Sequence, residues 1–107
     1  MVKKENKKSV KSMGKLETSE QIHRNVEFTF YSPESMNVYV SGEFNGWDTQ
    51  SLPMKKYRDG VWRSKVKLLS GRYEYKLSAD NAWVENLSDI ETVPNPFGTR
   101  NFIISVK

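Results

Sequence analysis

The sequence predicts an all-β protein, a sandwich of about seven short strands, and three observations support this prediction. The chain has 107 residues and no cysteine, which is enough for one domain held together by packing alone. From Val26 onward apolar and polar residues alternate in short runs, which is typical of strands with one buried face. Turn residues such as Asp59-Gly60 separate these runs. Strands of this number and spacing indicate an immunoglobulin-like fold.

Residues 1–20 differ in composition from the rest of the chain. They hold six lysines against three glutamates, and so carry +3 of the net charge of +4. Their few large apolar residues cannot bury enough surface to offset the entropy lost on ordering. We therefore expect a disordered basic tail over residues 1–20, followed by one domain over residues 21–107.

Alternation predicts which residues of the first strands face the core. At the Asp59-Gly60 turn two registers are open: a two-residue turn pairs Tyr57 with Trp62, whereas a three-residue turn sends Met54 inward. The predicted core-facing residues are Val26, Phe28 and Phe30 on the first strand, Val38 and Val40 on the second, and Trp62, Val66 and Leu68 on the third long run.

The next hairpin predicts an exposed tryptophan. Lys76 lies between apolar residues at alternating positions that face the core, so it faces water. If Asp80-Asn81 forms a two-residue turn, which suits residues that tolerate positive φ, Ser78 pairs with Trp83. Trp83 then lies on the wet face, with Lys76 as a diagonal neighbour at about 7 to 8 Å. An exposed tryptophan beside an exposed lysine requires an explanation.

The C-terminal part combines a long irregular segment with a last strand. Glu85 to Gly98 shows no periodicity and contains two prolines, so we expect a loop, and loops of about 12 to 15 residues are often functional. The last strand places Phe102, Ile104 and Val106 on one face, which we assign to the core.

Four groups of residues stand out by their order and spacing. They are Gly42 to Trp47 (GEFNGW), Asp59 to Trp62 (DGVW), Gly71 to Lys76 (GRYEYK) followed by Trp83, and Phe97 to Asn101 (FGTRN). In combination they resemble carbohydrate-binding module family 48. That family includes the glycogen-binding domain of the AMP-activated protein kinase β subunit and the N-terminal modules of branching and debranching enzymes. The resemblance covers residues 26–107.

The resemblance implies a non-catalytic module that binds an α-1,4-glucan such as glycogen, starch or a maltooligosaccharide. It also implies an early-set variant of the immunoglobulin-like fold. The site residues that it implies are Trp47 and Trp83 as sugar-stacking tryptophans, Lys76 as a hydroxyl-binding lysine, Thr99 and Asn101 as hydrogen-bonding residues, and Phe97 in place of a leucine that pushes through the ring of a curved glucan.

The chemistry of these residue types agrees with the resemblance. A glucose ring presents C–H bonds on its faces and hydroxyls around its edge, so a receptor needs flat apolar plates and a few rigid polar groups. Each hydrogen bond to sugar replaces one to water and gains about 0.5 to 1.5 kcal/mol net. We therefore expect a Kd between roughly 1 μM and 1 mM for a short ligand, and better retention of polymers.

Each of these residues also has a structural interpretation that the sequence leaves open. Trp47 can cap a hairpin loop, Trp83 can be buried, and Phe97 can plug the core beneath its loop. Thr99 and Asn101 can be turn residues that satisfy their own backbone. Lys76 can be an ordinary solvated lysine, which is common on the water-facing side of a strand.

Other function classes find little support in the residues. Glycoside hydrolysis needs two carboxyl groups at a fixed separation, and no pair is fixed by the sequence. With His23 as the one histidine and no cysteine, neither a nucleophile with its base nor a metal site is expected, and no cofactor is implied.

Charge and hydropathy bear on partners and location. Outside the tail the net charge is only +1, so we do not expect nucleic-acid binding by the domain. No apolar run approaches the ~20 residues of a membrane span, and the lysine-rich start lacks the apolar core of a secretory signal, so we expect a cytoplasmic protein.

The alternative function is a protein–protein docking module for a kinase or a glycogen-metabolising enzyme, with exposed tryptophans as interface anchors.

Overall fold

The computed structural model describes residues 22–107, and the tail expected over residues 1–20 lies outside this range. The described residues form eight strands and one short 3-10 helix, and no helix among them is long and apolar enough to cross a membrane. The elements are β1 (His23–Tyr31), β2 (Val38–Gly42), the 3-10 helix (Glu43–Asn45), β3 (Lys55–Lys56), β4 (Val61–Leu69), β5 (Gly71–Ala79), β6 (Ala82–Trp83), β7 (Thr92–Pro94) and β8 (Arg100–Val106).

The strands form two antiparallel sheets. The first has the order β1-β4-β3, and the second has the order β2-β5-β8-β7, with β6 paired to β5. The apolar faces of both sheets contribute to one core. The predicted all-β, immunoglobulin-like sandwich is therefore confirmed, with two of its strands only two residues long.

The buried core contains most of the residues that alternation assigned to it, together with Met54. Val26, Phe30, Val66 and Ile104 are only partly buried and pack against this core. Phe28 packs edge-on against Tyr75 with ring centroids 4.9 Å apart, and Tyr75 in turn contacts Phe102 at 5.6 Å. Burial of each such side chain contributes about 1.5 to 3 kcal/mol. The buried cluster is Phe28, Val38, Val40, Met54, Trp62, Leu68, Tyr75, Leu77, Phe102 and Val106.

The β3–β4 turn resolves the register that the sequence left open. The Tyr57 N–H donates to the carbonyl of Val61 at 3.0 Å, which leaves three residues in the turn. Gly60 adopts a positive φ of 82°, as the last residue of such a turn requires. Met54 is consequently buried, whereas Tyr57 is exposed.

The segment from Glu85 to Gly98 departs from the expected loop. Thr92–Pro94 forms β7, in which Val93 lies opposite Asn101 of β8. Pro94 has no N–H for a ladder, but β7 is an edge strand and tolerates it. The expectation of an unbroken loop is wrong at these residues, because pairing with β8 outweighs the low strand propensity of proline.

Candidate functional site

A strained turn after β2 presents Trp47. Gly46 and Trp47 have φ values of 65° and 62°, and a bulky residue in this region costs about 1 to 3 kcal/mol unless its surroundings hold it there. Asn45 holds the turn: its Oδ1 accepts from the Gly42 N–H at 2.9 Å and its Nδ2 donates to the Asp48 carbonyl at 3.0 Å. The indole is 38% exposed.

The β5–β6 hairpin presents Trp83 as the sequence predicts. Asp80 and Asn81 form the two-residue turn with φ values of 51° and 68°, and Ser78 lies opposite Trp83. The indole is 48% exposed, so burial is excluded. Lys76 Nζ lies 5.4 Å from the centre of the Trp83 ring, within the range of a cation–π contact.

Lys76 also connects β5 to the beginning of β8. Its Nζ donates to Thr99 Oγ1 at 3.3 Å and to the carbonyl of Arg100 at 3.0 Å. These bonds and the contact with Trp83 fix a long side chain that would otherwise be mobile. The Lys76 ammonium is therefore held at a defined position on the outer face of the second sheet.

Asn95 organises the loop between β7 and β8. Its Oδ1 accepts from the N–H groups of Phe97 (2.9 Å) and Thr99 (3.2 Å). Its Nδ2 donates to Thr99 Oγ1 at 2.7 Å and to Asn101 Oδ1 at 2.9 Å. The ring of Phe97 is 86% exposed at the tip of this loop, which excludes the interpretation as a core plug.

Thr99 and Asn101 are both integrated into this network. A hydroxyl accepts two hydrogen bonds, and Thr99 Oγ1 receives them from Lys76 and Asn95, so its own O–H can donate to a ligand. Asn101 is 6% exposed, and its Nδ2 donates to Glu74 Oε1 at 3.0 Å. The second hydrogen of that amide group is not needed for this bond.

The six residues singled out from the sequence line one concavity of about 660 Å³ on the outer face of the second sheet, here called the tryptophan concavity. Sequence reasoning missed five further lining residues. Glu74 had a detectable signal, since it shares a strand face with Lys76 two positions away, whereas Asn95 had none. The lining residues are Trp47, Lys76, Trp83, Phe97, Thr99 and Asn101 as predicted, together with Glu43, Thr49, Glu74, Asn95 and Pro96.

A second concavity, of about 480 Å³, lies where β1 meets residues 86–90, and none of the predicted site residues lines it. Residues such as Phe28 and Leu87, which belong to the core or pack against it, line its floor. Across residues 22–107, no three His, Asp or Glu side chains lie together in a group that could hold a metal ion.

Comparison with known proteins gives a family match and several curated relatives. The model of the family described as Carbohydrate-binding module 48 (Isoamylase N-terminal domain) matches residues 14–97. The chain is 34% identical over 77 residues to 5'-AMP-activated protein kinase subunit beta-2 of Homo sapiens, covering 72% of this chain and 27% of that protein. It is 33% identical over 73 residues to 1,4-alpha-glucan branching enzyme GlgB 2 of Clostridium perfringens, covering 66% of this chain and 11% of that enzyme.

A third relative is a plant protein. The chain is 43% identical over 56 residues to Protein PTST homolog 2, chloroplastic, of Arabidopsis thaliana, which covers 51% of this chain and 10% of that protein. The matched region therefore spans at most 27% of the length of any of these three relatives.

Proposed function

The chain belongs to carbohydrate-binding module family 48, and from this premise we propose that it binds an α-1,4-glucan such as glycogen, starch or a maltooligosaccharide in the tryptophan concavity. One observation carries the proposal: six residues that are far apart in the sequence line a single concavity. A relative named as a 1,4-alpha-glucan branching enzyme supports the choice of an α-glucan.

The apolar part of the proposed site consists of three aromatic rings. Trp47 and Trp83 offer half-exposed indole faces, and the exposed ring of Phe97 projects from the loop between β7 and β8. The C–H faces of successive glucose units stack on the indoles, while Phe97 contacts the glucan from the loop side. Because the strained turn and the hairpin already hold the backbone at both tryptophans, binding requires little further ordering of these two segments.

The polar part consists of Lys76, Thr99 and Asn101, which supply hydrogen bonds to the hydroxyls at the edge of one or two glucose units. The Thr99 O–H and the remaining N–H of Asn101 serve as donors, and Lys76 adds a third N–H donor. The net gain of each bond is about 0.5 to 1.5 kcal/mol, so the affinity for a short ligand lies between roughly 1 μM and 1 mM.

The proposal describes a module without catalytic activity of its own. Modules of this family bind carbohydrate and are not themselves catalytic. We extend this property to the present chain, and we retain the cytoplasmic location that the sequence predicts.

A titration with maltoheptaose, followed by tryptophan fluorescence, tests the glucan proposal. We expect saturable binding by the wild type and a loss of at least tenfold in affinity for Trp83→Ala, a difference of ~1.4 kcal/mol or more. A β-linked oligosaccharide of the same length serves as the ligand control. Tyr31→Ala is the matched variant, because Tyr31 is 66% exposed on the other sheet.

The titrations of the wild type and the two variants show whether the protein binds the glucan and whether the tryptophan concavity is the site. Binding that Trp83→Ala loses and Tyr31→Ala retains supports the tryptophan concavity as the site. No response of the wild type up to ~10 mM ligand would contradict the proposal, since that concentration lies above the whole expected range of Kd.

We propose docking to a partner protein, a kinase or a glycogen-metabolising enzyme, as a second function. The specific observation is a basic surface on the outer face of the first sheet, away from the tryptophan concavity. There Glu27 lies opposite Lys65 and is flanked by cations. An acidic patch on the partner would complement this surface. Arg63 is already paired with Asp59 at 3.0 Å, so among the described residues of this face the lysines supply the unpaired positive charge. The cationic residues of this surface are Lys55, Arg63, Lys65 and Lys67.

Charge reversal tests the docking proposal. Purified bait protein carrying Lys65→Glu and Lys67→Glu is compared with the wild type and with Trp83→Ala in affinity capture, with quantitative identification of the captured proteins. We expect a kinase or a glycogen-metabolising enzyme to be captured by the wild type and by Trp83→Ala, and to be lost with the charge-reversed variant. Capture of the same enzyme by the charge-reversed variant contradicts the assignment to this face.

A further inference from the structure

Two carboxylates line the tryptophan concavity beside the aromatic rings. Glu43 follows β2 directly, and its Oε1 accepts from the backbone N–H of Glu74 at 2.8 Å. Glu74 in turn accepts through Oε1 from the buried amide of Asn101 at 3.0 Å. Both carboxylates are therefore held in place by the protein.

The approach of β2 to β5 explains why Glu43 reaches this position. A Cβ atom at Gly42 would lie 2.7 Å from the carbonyl oxygen of Glu74 and 2.8 Å from the Tyr75 Cβ. Only glycine at this position therefore allows β2 and β5 to approach each other so closely. The side chain of Glu43 consequently reaches the backbone N–H of Glu74 on β5 and lines the wall of the concavity.

The charged groups that line the concavity have a negative sum. They are Glu43, Glu74 and Lys76. The Lys76 ammonium already donates to Thr99 and to the Arg100 carbonyl. Arg72 lies 3.9 Å from Glu74 Oε2 and partly offsets that carboxylate, but it does not line the concavity. Glu43 is left as the carboxylate that no cation within the described residues pairs with.

We propose that the tryptophan concavity selects uncharged α-glucan over phosphorylated α-glucan, and that Glu43 is the residue that sets this preference. The proposal rests on the glucan-binding function proposed above and specifies its substrate class. A carboxylate accepts a hydrogen bond from a neutral hydroxyl, whereas a phosphate at the same place offers acceptors and negative charge in place of a donor. The repulsion between two anions in a partly exposed site is moderate and is screened by salt.

Three β-cyclodextrins that differ in one substituent test this proposal. The ligands are β-cyclodextrin, its mono-6-phosphate and its mono-6-amino derivative. They are titrated at an ionic strength of about 0.1 M, where the Debye length is ~10 Å, so that the charges lining the concavity dominate over the net charge of +4 carried by the whole chain. We expect the amino derivative to bind at least as tightly as the neutral ring. The phosphate should bind about three- to tenfold more weakly than the neutral ring, and salt near 1 M should remove most of the difference.

The variants Glu43→Gln and Glu27→Gln assign the effect to a residue. Glutamine at position 43 keeps an oxygen that accepts from the Glu74 N–H, so the fold is expected to be unchanged. The ratio of the phosphate Kd to the neutral Kd should fall to about two or less in Glu43→Gln. Glu27 is an exposed carboxylate of the first sheet, and its replacement should leave that ratio unchanged.

Each result bears on a different proposal. If the neutral ring does not bind at all, the glucan-binding function itself fails. If the neutral ring binds and the phosphate binds equally well or better, the glucan function stands and the inference is overturned. A preference for the neutral ring that persists in Glu43→Gln overturns the assignment to Glu43.

Discussion

At the scale of single residues, the two indoles of the concavity reach the surface by different backbone conformations. Trp47 occupies a positive-φ position that Asn45 holds through side-chain hydrogen bonds. Trp83 lies in an ordinary strand conformation, and its exposure follows from its register opposite Ser78. The first arrangement is strained and the second is not, so replacement of Trp47 by glycine removes strain as well as an aromatic plate.

Tyr75 makes the stability of the domain sensitive to alkaline pH. Burial raises its pKa from 10.0 to about 12. In the unfolded chain the phenol loses its proton near pH 10, whereas in the folded protein it keeps the proton to about pH 12. The contribution to stability is therefore complete below pH 10 and falls by about 2 to 3 kcal/mol as pH rises from 10 to 12.

The variant Tyr75→Phe isolates this contribution. Phenylalanine keeps the ring contacts with Phe28 and Phe102. Urea unfolding at pH 8 and at pH 11 should show that the wild type loses more free energy of unfolding than the variant over this interval. An equal loss in both proteins would show that other groups cause the alkaline destabilisation.

The sequence predicted some of these residue positions and not others, for a physical reason. Exposure of Trp83 beside Lys76 follows from local rules, a strand period of two and a two-residue turn, and the structure has that register. The burial of Asn101 between Glu74 and Asn95 depends on three segments that meet only in the folded protein. Hydrogen-bond partners of this kind leave no pattern in the sequence.

At the scale of elements, the β5–β6 turn determines whether Trp83 faces the concavity. Asn81 has a φ of 68°, which glycine adopts at no steric cost and a β-branched residue does not. We expect Asn81→Gly to keep both stability and maltoheptaose affinity. Asn81→Val should lower the free energy of unfolding by about 1 to 3 kcal/mol and weaken maltoheptaose binding, because Trp83 lies two residues further on.

Urea unfolding and maltoheptaose titration of the two Asn81 variants provide the measurement. The pair is matched in position and differs in tolerance of positive φ. Full affinity in Asn81→Val would mean that the pairing of β6 with β5, and not the turn, holds Trp83.

The loop between β7 and β8 depends on one side chain, that of Asn95. It makes four hydrogen bonds that fix the loop carrying Phe97 and Thr99. Asn95→Ala removes them all, so we expect maltoheptaose affinity to fall by about tenfold, with a loss of stability of about 1 to 3 kcal/mol. Calorimetric titration and thermal unfolding provide the two readouts.

Asn95→Asp is the matched variant. It keeps the oxygen that accepts from the N–H groups of Phe97 and Thr99 but loses the donors to Thr99 Oγ1 and Asn101. An intermediate affinity is expected. Wild-type affinity in Asn95→Ala would contradict the view that a fixed loop is required for binding.

Two elements show where local patterns stop determining the fold. The three-residue β3–β4 turn and its alternative fit the sequence equally well, and burial of Met54 is achieved in only one of them. β7 escaped prediction because its three residues include Pro94, and its pairing partner β8 is what makes it a strand. Both outcomes depend on contacts between segments distant in sequence.

At the scale of the whole molecule, the two proposed functions lie on different sheets. The tryptophan concavity lies on the sheet that contains β5 and β8, and the basic surface lies on the sheet that contains β4. The core separates them, so a polysaccharide and a partner protein can bind at the same time. On this view the domain brings a partner to glucan, and the weak affinity of one concavity permits exchange along a polymer.

A single proposed glucan-binding site per domain, the tryptophan concavity, predicts a strong effect of valency on polymer binding. Two copies of the chain joined by a flexible linker of about 20 Gly/Ser residues, with an r.m.s. span of ~25 Å, can engage two sites on one glycogen particle. We expect the apparent affinity for glycogen to rise by about 10- to 100-fold, while the Kd per site for maltoheptaose stays unchanged, because an oligosaccharide of this length is too short to bridge both concavities. Tandem protein with Trp83→Ala in one copy is the control, and it should return to the glycogen affinity of the single domain. Tighter maltoheptaose binding by the tandem protein, or equal glycogen binding by single and tandem forms, would contradict one independent glucan-binding site per domain.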